Sequence, residues 1–198
     1  MITVGKTVEV LRAGGVVLLP TDTVYGLAAR PDDDAALDRL FALKARPREV
    51  YLPVMVAGAA WLEGLGVEMN EAARRLSRSR FMPGPLTLVL GFGAGERVAW
   101  LAGREEVAVR VPDDAFLLAV LREAGPLLVT SANRHGRGTR ERARDILPEL
   151  AGAPDLVIER GRGREVPSTI VNCRREPPVI ERRGLVAPEE IYKITGHE

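Results

Sequence analysis

Apolar positions along this 198-residue chain fall into short runs with two alternating spacings. Residues 5–13 carry helical spacing and stop at Gly14, a residue suited to a left-handed cap. "GVVLLP" (15–20) is short, β-rich and closed by proline, the pattern of a buried strand. A second helix is expected from the apolar residues 36, 37, 40, 41 and 43, with the acidic run 32–34 at the positive end of its dipole. "LPVMVAG" reads as a strand, and 59–65 and 70–79 as helices, the second capped by Asn70. "PGPLTLVLGF" gives a turn and a strand, "EVAVRVP" another strand, and "DDAFLLAVLREAG" a helix with Asp at its start and Gly after its end. "PLLVTSAN" is a buried strand running into polar residues. "DLVIE", "STIVN" and "PVIERR" are strands, and a terminal helix begins near Pro188. Strands and helices alternate early and strands cluster late. The chain is therefore read as one α/β domain, residues 1–198, on a mixed, twisted sheet.

Composition narrows this reading. Hydrophobic residues make up 46% and charged residues 28%, the balance of a soluble globular protein. No apolar stretch approaches the roughly 18–20 residues that span a bilayer, so no membrane partner is expected. The first ten residues lack a signal-peptide pattern, and a single cysteine, Cys173, suits a reducing compartment, so a cytoplasmic location is expected. Net charge is only +1, although 25 Arg stand against 3 Lys. That bias fits base composition or heat adaptation better than a selected anion surface. Arginine is nonetheless dense in "RHGRGTRERAR" (134–144) and "RGRGR" (160–164).

Polar clusters at strand ends carry the candidate chemistry, since ligands of open α/β sheets gather there. "PTDT" follows the first strand, and its short side chains suit a turn that bonds its own backbone. "TSAN" follows "PLLV". Arg110 sits inside "VAVRV", where a buried cation needs either a protein carboxylate or a ligand as partner. In "LKARP", Lys44 and Arg46 could converge on one anion at a helix-to-loop junction, but locally a solvated helix end is the simpler reading. The sequence has no Walker motif, no G-x-G-x-x-G after a strand, no G-x-S-x-G elbow and no metal-ligand cluster. Hydroxyls, Arg and Lys suit recognition of a phosphorylated or carboxylated small molecule, and leave the reaction type open.

Taken in order, "PTDTVYGLAA", "LFALKARP", "PGPLTLVL", "VAVRVPD", "SANRHG", "STIV" and "IERRG" resemble the YrdC-like family, the threonylcarbamoyl-AMP synthases; they span residues 20–184. The resemblance implies a twisted open sheet with helices around a concave, positively charged cavity. It implies synthesis of threonylcarbamoyl-AMP and pyrophosphate from L-threonine, bicarbonate and ATP with Mg²⁺, and no tightly bound protein metal. The product would serve threonylcarbamoyladenosine modification of tRNA, with downstream tRNA-modification proteins as partners and tRNA or double-stranded RNA as a candidate ligand. On this resemblance the K-x-R pair falls on Lys44 and Arg46 and the S-x-N pair on Ser131 and Asn133, as catalytic and nucleotide-binding residues. Thr23, Arg110 and Ser168 match threonine-binding positions, and Thr139 and Arg182 nucleotide-binding ones. The alternatives are a diverged paralogue acting on another carbamoylated or adenylated molecule, and an RNA-binding protein on the same scaffold.

Four positions depart from the family pattern: Val50 after K-x-R-P, Met55 where many members have His, Glu106 in place of a Thr, and Asn172 in place of an Asp. Val50 and Glu106 are expected to make the nucleotide side less positive, and Met55 to remove a threonine contact. The length also matches the family's shorter branch, without an extra C-terminal domain.

Overall fold

The computed structural model describes residues 2–45, 52–134, 138–161 and 163–196. In chain order the strands are β1 (Val17–Leu19), β2 (Gly26–Ala29), β3 (Val54–Met55), β4 (Leu86–Leu90), β5 (Val107–Arg110), β6 (Leu127–Ser131), β7 (Leu156–Val157), β8 (Thr169–Asn172) and β9 (Val179–Arg182). The helices are α1 (Val4–Arg12), α2 (Asp34–Leu43), α3 (Ala60–Gly64), α4 (Glu71–Ser77), α5 (Ala115–Ala124), α6 (Ala143–Ile146) and α7 (Pro188–Thr195). Among the described residues all nine strands join one open sheet in the order β7-β1-β2-β6-β3-β5-β4-β8-β9. The sheet is mixed: β1/β7, β3/β5 and β4/β8 pair in parallel, and the other neighbours are antiparallel. Among the described residues no helix is long and apolar enough to cross a membrane.

Local chemistry sets the helix ends. Asp33, Asn70 and Asp114 each accept a backbone N–H three residues on, capping α2, α4 and α5. Gly14 (φ 78°) and Gly196 (φ 79°) take the left-handed conformation after α1 and α7.

The period of two along each strand then sorts side chains between two cores. Leu18, Leu27, Val54, Leu86, Leu88, Val107 and Val109 face α2 and α4, through Leu37, Leu40, Phe41, Ala73 and Leu76. Val17, Leu19, Ala28 and Val129 face the other way, against Val8, Leu11, Leu117, Val120 and Leu121 of α1 and α5. Each leucine of these cores contributes roughly 1.5–3 kcal/mol by leaving water. Thr87 and Arg110 occupy the alternate positions of β4 and β5, on the face away from the larger core. Polar side chains at the end of the sheet thus come from strands whose other face is fully apolar.

The expected strand list omits β2. "GLAA" has no β-branched residue and follows a turn directly, so no alternation announces it. Gly26 is required there: a Cβ would stand 2.7 Å from Val129 Cγ1 and 3.3 Å from the Thr130 carbonyl. The short helix α6 was also not expected.

Candidate active site

The cleft begins at the turn between β1 and β2. Thr21 Oγ1 accepts the Thr23 N–H (3.0 Å) and donates to the Val24 carbonyl (2.8 Å), so "PTDT" is the side-chain-bonded turn its composition suggests. The same bonds bury Thr21 and Thr23 and aim both hydroxyls toward the end of the sheet, 3.1 Å apart.

Arg110, the last residue of β5, reaches this turn. Its Nη1 donates to Thr23 Oγ1 (2.8 Å), its Nη2 to Asp22 Oδ1 (2.7 Å) and its Nε to the Gly84 carbonyl (3.0 Å). The partner demanded by a buried cation is therefore Asp22, with side-chain exposures of 4% for Arg110 and 11% for Asp22. Burial pulls the Arg110 pKa below the ordinary arginine value, while the neighbouring Asp22 charge and hydrogen bond pull it back up. A guanidinium has five N–H groups, so one remains on each terminal nitrogen.

Ser168, just before β8, forms the opposite wall. Its hydroxyl lies 2.8 Å from Thr87 Oγ1 and accepts from Arg182 Nη2 (3.0 Å), and its carbonyl accepts from Arg182 Nε and Nη2. Arg182 lies on the exposed edge strand β9. Burial of its head, followed by repulsion from Arg110, lowers its pKa. Gly184 sits against the Pro167–Thr169 backbone, where a Cβ would collide with Pro167 O, Ser168 C and Thr169 N. Thr21, Thr23, Thr87, Arg110, Ser168 and Arg182, with Met55, Val24, Pro53, Val129 and Ser131, line one cleft.

Lys44 follows α2 directly and is almost fully buried at 1% exposure, its Nζ donating to the Ser131 carbonyl at the end of β6. The solvated helix end favoured by local sequence is thus overturned: the carbonyl draws the ammonium inward. Arg46 and Val50 lie outside the described residues. Asn133, two residues past Ser131, donates to the Arg134 carbonyl (3.2 Å). Thr139 bonds the Glu165 carbonyl (2.8 Å), and Gly163 N–H bonds Glu141 O (2.8 Å), joining the two arginine-rich segments. The second segment also reaches the turn, through Arg164 N–H to Thr23 O (2.5 Å).

Of the assigned residues, Thr23, Arg110, Ser131, Ser168 and Arg182 share the cleft, and Lys44 adjoins it through Ser131. Asn133 and Thr139 do not line it. Met55 does, as the family comparison of positions suggested. One expectation fails: Glu106 pairs with Arg174 and does not line the cleft. Asn172, for which no role was expected, bonds Glu181 and the Arg174 N–H and does not line it either. They occupy the opposite ends of β5 and β8 from Arg110 and Ser168. Four residues of strand separate each from the site, about 13 Å. Thr21, Asp22 and Thr87 were missed. The one available signal for Asp22 was the demand for a carboxylate opposite Arg110.

The profile of the Sua5/YciO/YrdC family, described as telomere recombination, matches residues 9–184. The chain belongs to the Sua5/YciO/YrdC family. Among members of that family, it is 35% identical to the threonylcarbamoyl-AMP synthase of Bacillus subtilis over 198 residues, 98% of this chain and 56% of that protein. The crystal structure of Pyrococcus abyssi Sua5 complexed with L-threonine superposes with a TM-score of 0.87 at 34% identity, over 100% of this chain and 59% of that one. Escherichia coli YciO superposes with a TM-score of 0.80 at 26% identity, over 93% and 90%. The chain thus spans little more than half the length of the first two relatives. These likenesses agree with the open α/β sheet of the family.

Proposed function

We propose that this Sua5/YciO/YrdC chain makes threonylcarbamoyl-AMP and pyrophosphate from L-threonine, bicarbonate and ATP, as the names of its relatives suggest. One observation carries the reading. A buried arginine keeps one N–H on each terminal nitrogen, beside a buried threonine hydroxyl, in a cleft whose other wall carries the Ser168 hydroxyl and Arg182. That fork suits both oxygens of a carboxylate at once, which the ammonium of lysine cannot match.

In this reading Arg110, Thr23 and Ser168 hold L-threonine. The neutral amine of threonine displaces water from bicarbonate to give N-carboxythreonine, whose carboxylate attacks the α-phosphorus of ATP as pyrophosphate leaves. No protein base is needed for that step, because the nucleophile is already an anion. The work is positioning and charge neutralisation. Lys44, Arg46 and Arg182 balance the triphosphate, and Ser131, Asn133 and Thr139 hold the nucleotide. Mg²⁺ would enter with ATP and supply further positive charge against its phosphates. The adenylate then serves tRNA modification in the cytoplasm.

The test is threonine-dependent release of pyrophosphate from ATP and Mg²⁺, with transfer of labelled bicarbonate into an adenylate. Met55 motivates a second reading, because it offers the substrate a thioether in a wall shared with Val24 and Val129. Release with other amino acids but not threonine would favour that diverged specificity. Absence of release alongside salt-sensitive RNA binding would favour an RNA-binding role.

A further inference from the structure

The hydrogens of the "PTDT" turn can be assigned one at a time. The Val24 carbonyl has no hydrogen, so Thr21 donates to it and commits its only O–H (2.8 Å). One lone pair of Thr21 Oγ1 already takes the Thr23 N–H (3.0 Å). In the contact between the two hydroxyls (3.1 Å), Thr23 must therefore be the donor and Thr21 the acceptor. Thr21 is then saturated. Thr23 has given away its hydrogen, takes Arg110 Nη1 on one lone pair (2.8 Å) and keeps the other. Toward the cleft Thr23 can only accept.

An acceptor-only oxygen 2.8 Å from a guanidinium nitrogen with an N–H to give matches two neighbouring groups of one ligand, a donor beside an anion. An α-amino acid has that pattern, with its carboxylate and its nitrogen on one carbon. We infer that Thr21 is a positioning residue: it polarises Thr23 so that the site reads the N–H of the amino-acid substrate while Arg110 holds the carboxylate. This rests on the synthase reading above and deepens it by naming what makes the cleft select an amino acid. A carboxylate facing Thr23 would meet a lone pair, so the turn also sets which way round the ligand lies.

The experiment compares wild type, Thr21→Val and Thr21→Ser for binding of L-threonine and of 3-hydroxybutanoate, which is threonine without its amino group. Initial-rate kinetics with L-threonine and ATP run alongside, and thermal melting confirms folding. Wild type should bind L-threonine at least about tenfold more tightly than 3-hydroxybutanoate. Thr21→Val, whose Thr23 hydroxyl can turn its hydrogen to the cleft, should lose most of that preference. Its KM for L-threonine should rise roughly tenfold, with kcat within about twofold and the KM for ATP unchanged. Thr21→Ser keeps the hydroxyl and should behave as wild type.

The inference is overturned if Thr21→Val keeps the wild-type KM, or if it loses both ligands equally. It is also overturned if Thr21→Ser shows the tenfold defect. Should Thr21→Val fail to fold, equal binding of the two ligands by wild type overturns it without that variant. Wild type that binds no L-threonine and makes no adenylate overturns the synthase reading as well. Wild type that does both, with an unaltered Thr21→Val, overturns only the role of Thr21.

Discussion

Arg110 and Arg182 bring two guanidinium groups to the same cleft by opposite means. Arg110 is buried, neutralised by Asp22, and held at all three of its nitrogens. Arg182 stands on an edge strand and, among the described residues, donates to the neutral oxygens of Ser168 alone. Burial lowers both pKa values, but only Arg110 has a carboxylate pulling back, and its charge is part of what depresses Arg182. A buried, compensated cation is rigid and expensive to disturb; one at the sheet edge with no carboxylate beside it is cheaper to lose and freer to meet a polyanion. The first suits a small carboxylate that must be oriented, the second the phosphates of a nucleotide.

The largest effect is expected from Arg110→Ala, which strands the Asp22 carboxylate in a buried site. Removing one partner of such a pair costs about 3–5 kcal/mol, so the variant should melt well below wild type as well as lose threonine dependence. The double variant Arg110→Met/Asp22→Leu should recover most of the stability and none of the activity. Recovery of activity in the double variant would show that Arg110 acts only on Asp22.

Gly184→Ala comes next. Its Cβ would collide with the backbone on either side of Ser168, so β9 must shift. A destabilisation of about 1–3 kcal/mol is expected by chemical denaturation, with activity falling because Arg182 leaves Ser168. Arg182→Ala should change stability by about 0.5–1.5 kcal/mol, because it removes hydrogen bonds to neutral oxygens and strands no charge. It should raise the KM for ATP roughly tenfold in initial-rate assays and leave the KM for L-threonine nearly unchanged. A larger rise for L-threonine than for ATP would break the division of labour between the two arginines.

The smallest effect concerns a buried group outside the cleft. Burial pushes the Cys173 thiol up to about 12 from an ordinary 9.0. Its folded-state pKa is raised, so its contribution to stability is complete below the unfolded pKa and is lost as pH rises toward the folded one. Native protein should resist thiol reagents at about pH 8 that modify the unfolded chain. Cys173→Ala should lose less stability than wild type between about pH 8 and 10, measured by denaturant melts.

How far the sequence was readable follows the same division between local and distant causes. Caps such as Asn70 and Asp114, and the turn at Thr21, are set by bonds within three residues, and they were legible. Strand β2 was not, because its residues are small and its partners β1 and β6 decide its conformation. Lys44 looked like a solvated helix end because the carbonyl that draws it inward is 87 residues away. Asp22 was hidden for a like reason, lying 88 residues from its arginine. Glu106 was expected on the nucleotide side from its place in the family pattern, four residues before Arg110. Along a strand that same proximity carries a side chain to the far end of the sheet.

The bonds that build the cleft also bear on when it can exist. Arg110 meets Thr23 across 87 residues and Thr87 meets Ser168 across 81, so neither wall forms until strands from both halves of the chain have paired. Contacts of such separation close late, because the entropy of the intervening loop is lost before they form. A partly assembled chain would hold its two main helices and several strands and still present no cleft for a small ligand. Binding of a small ligand thus reports completion of the whole sheet. The ligand in turn would favour the finished molecule over every unfinished one by mass action.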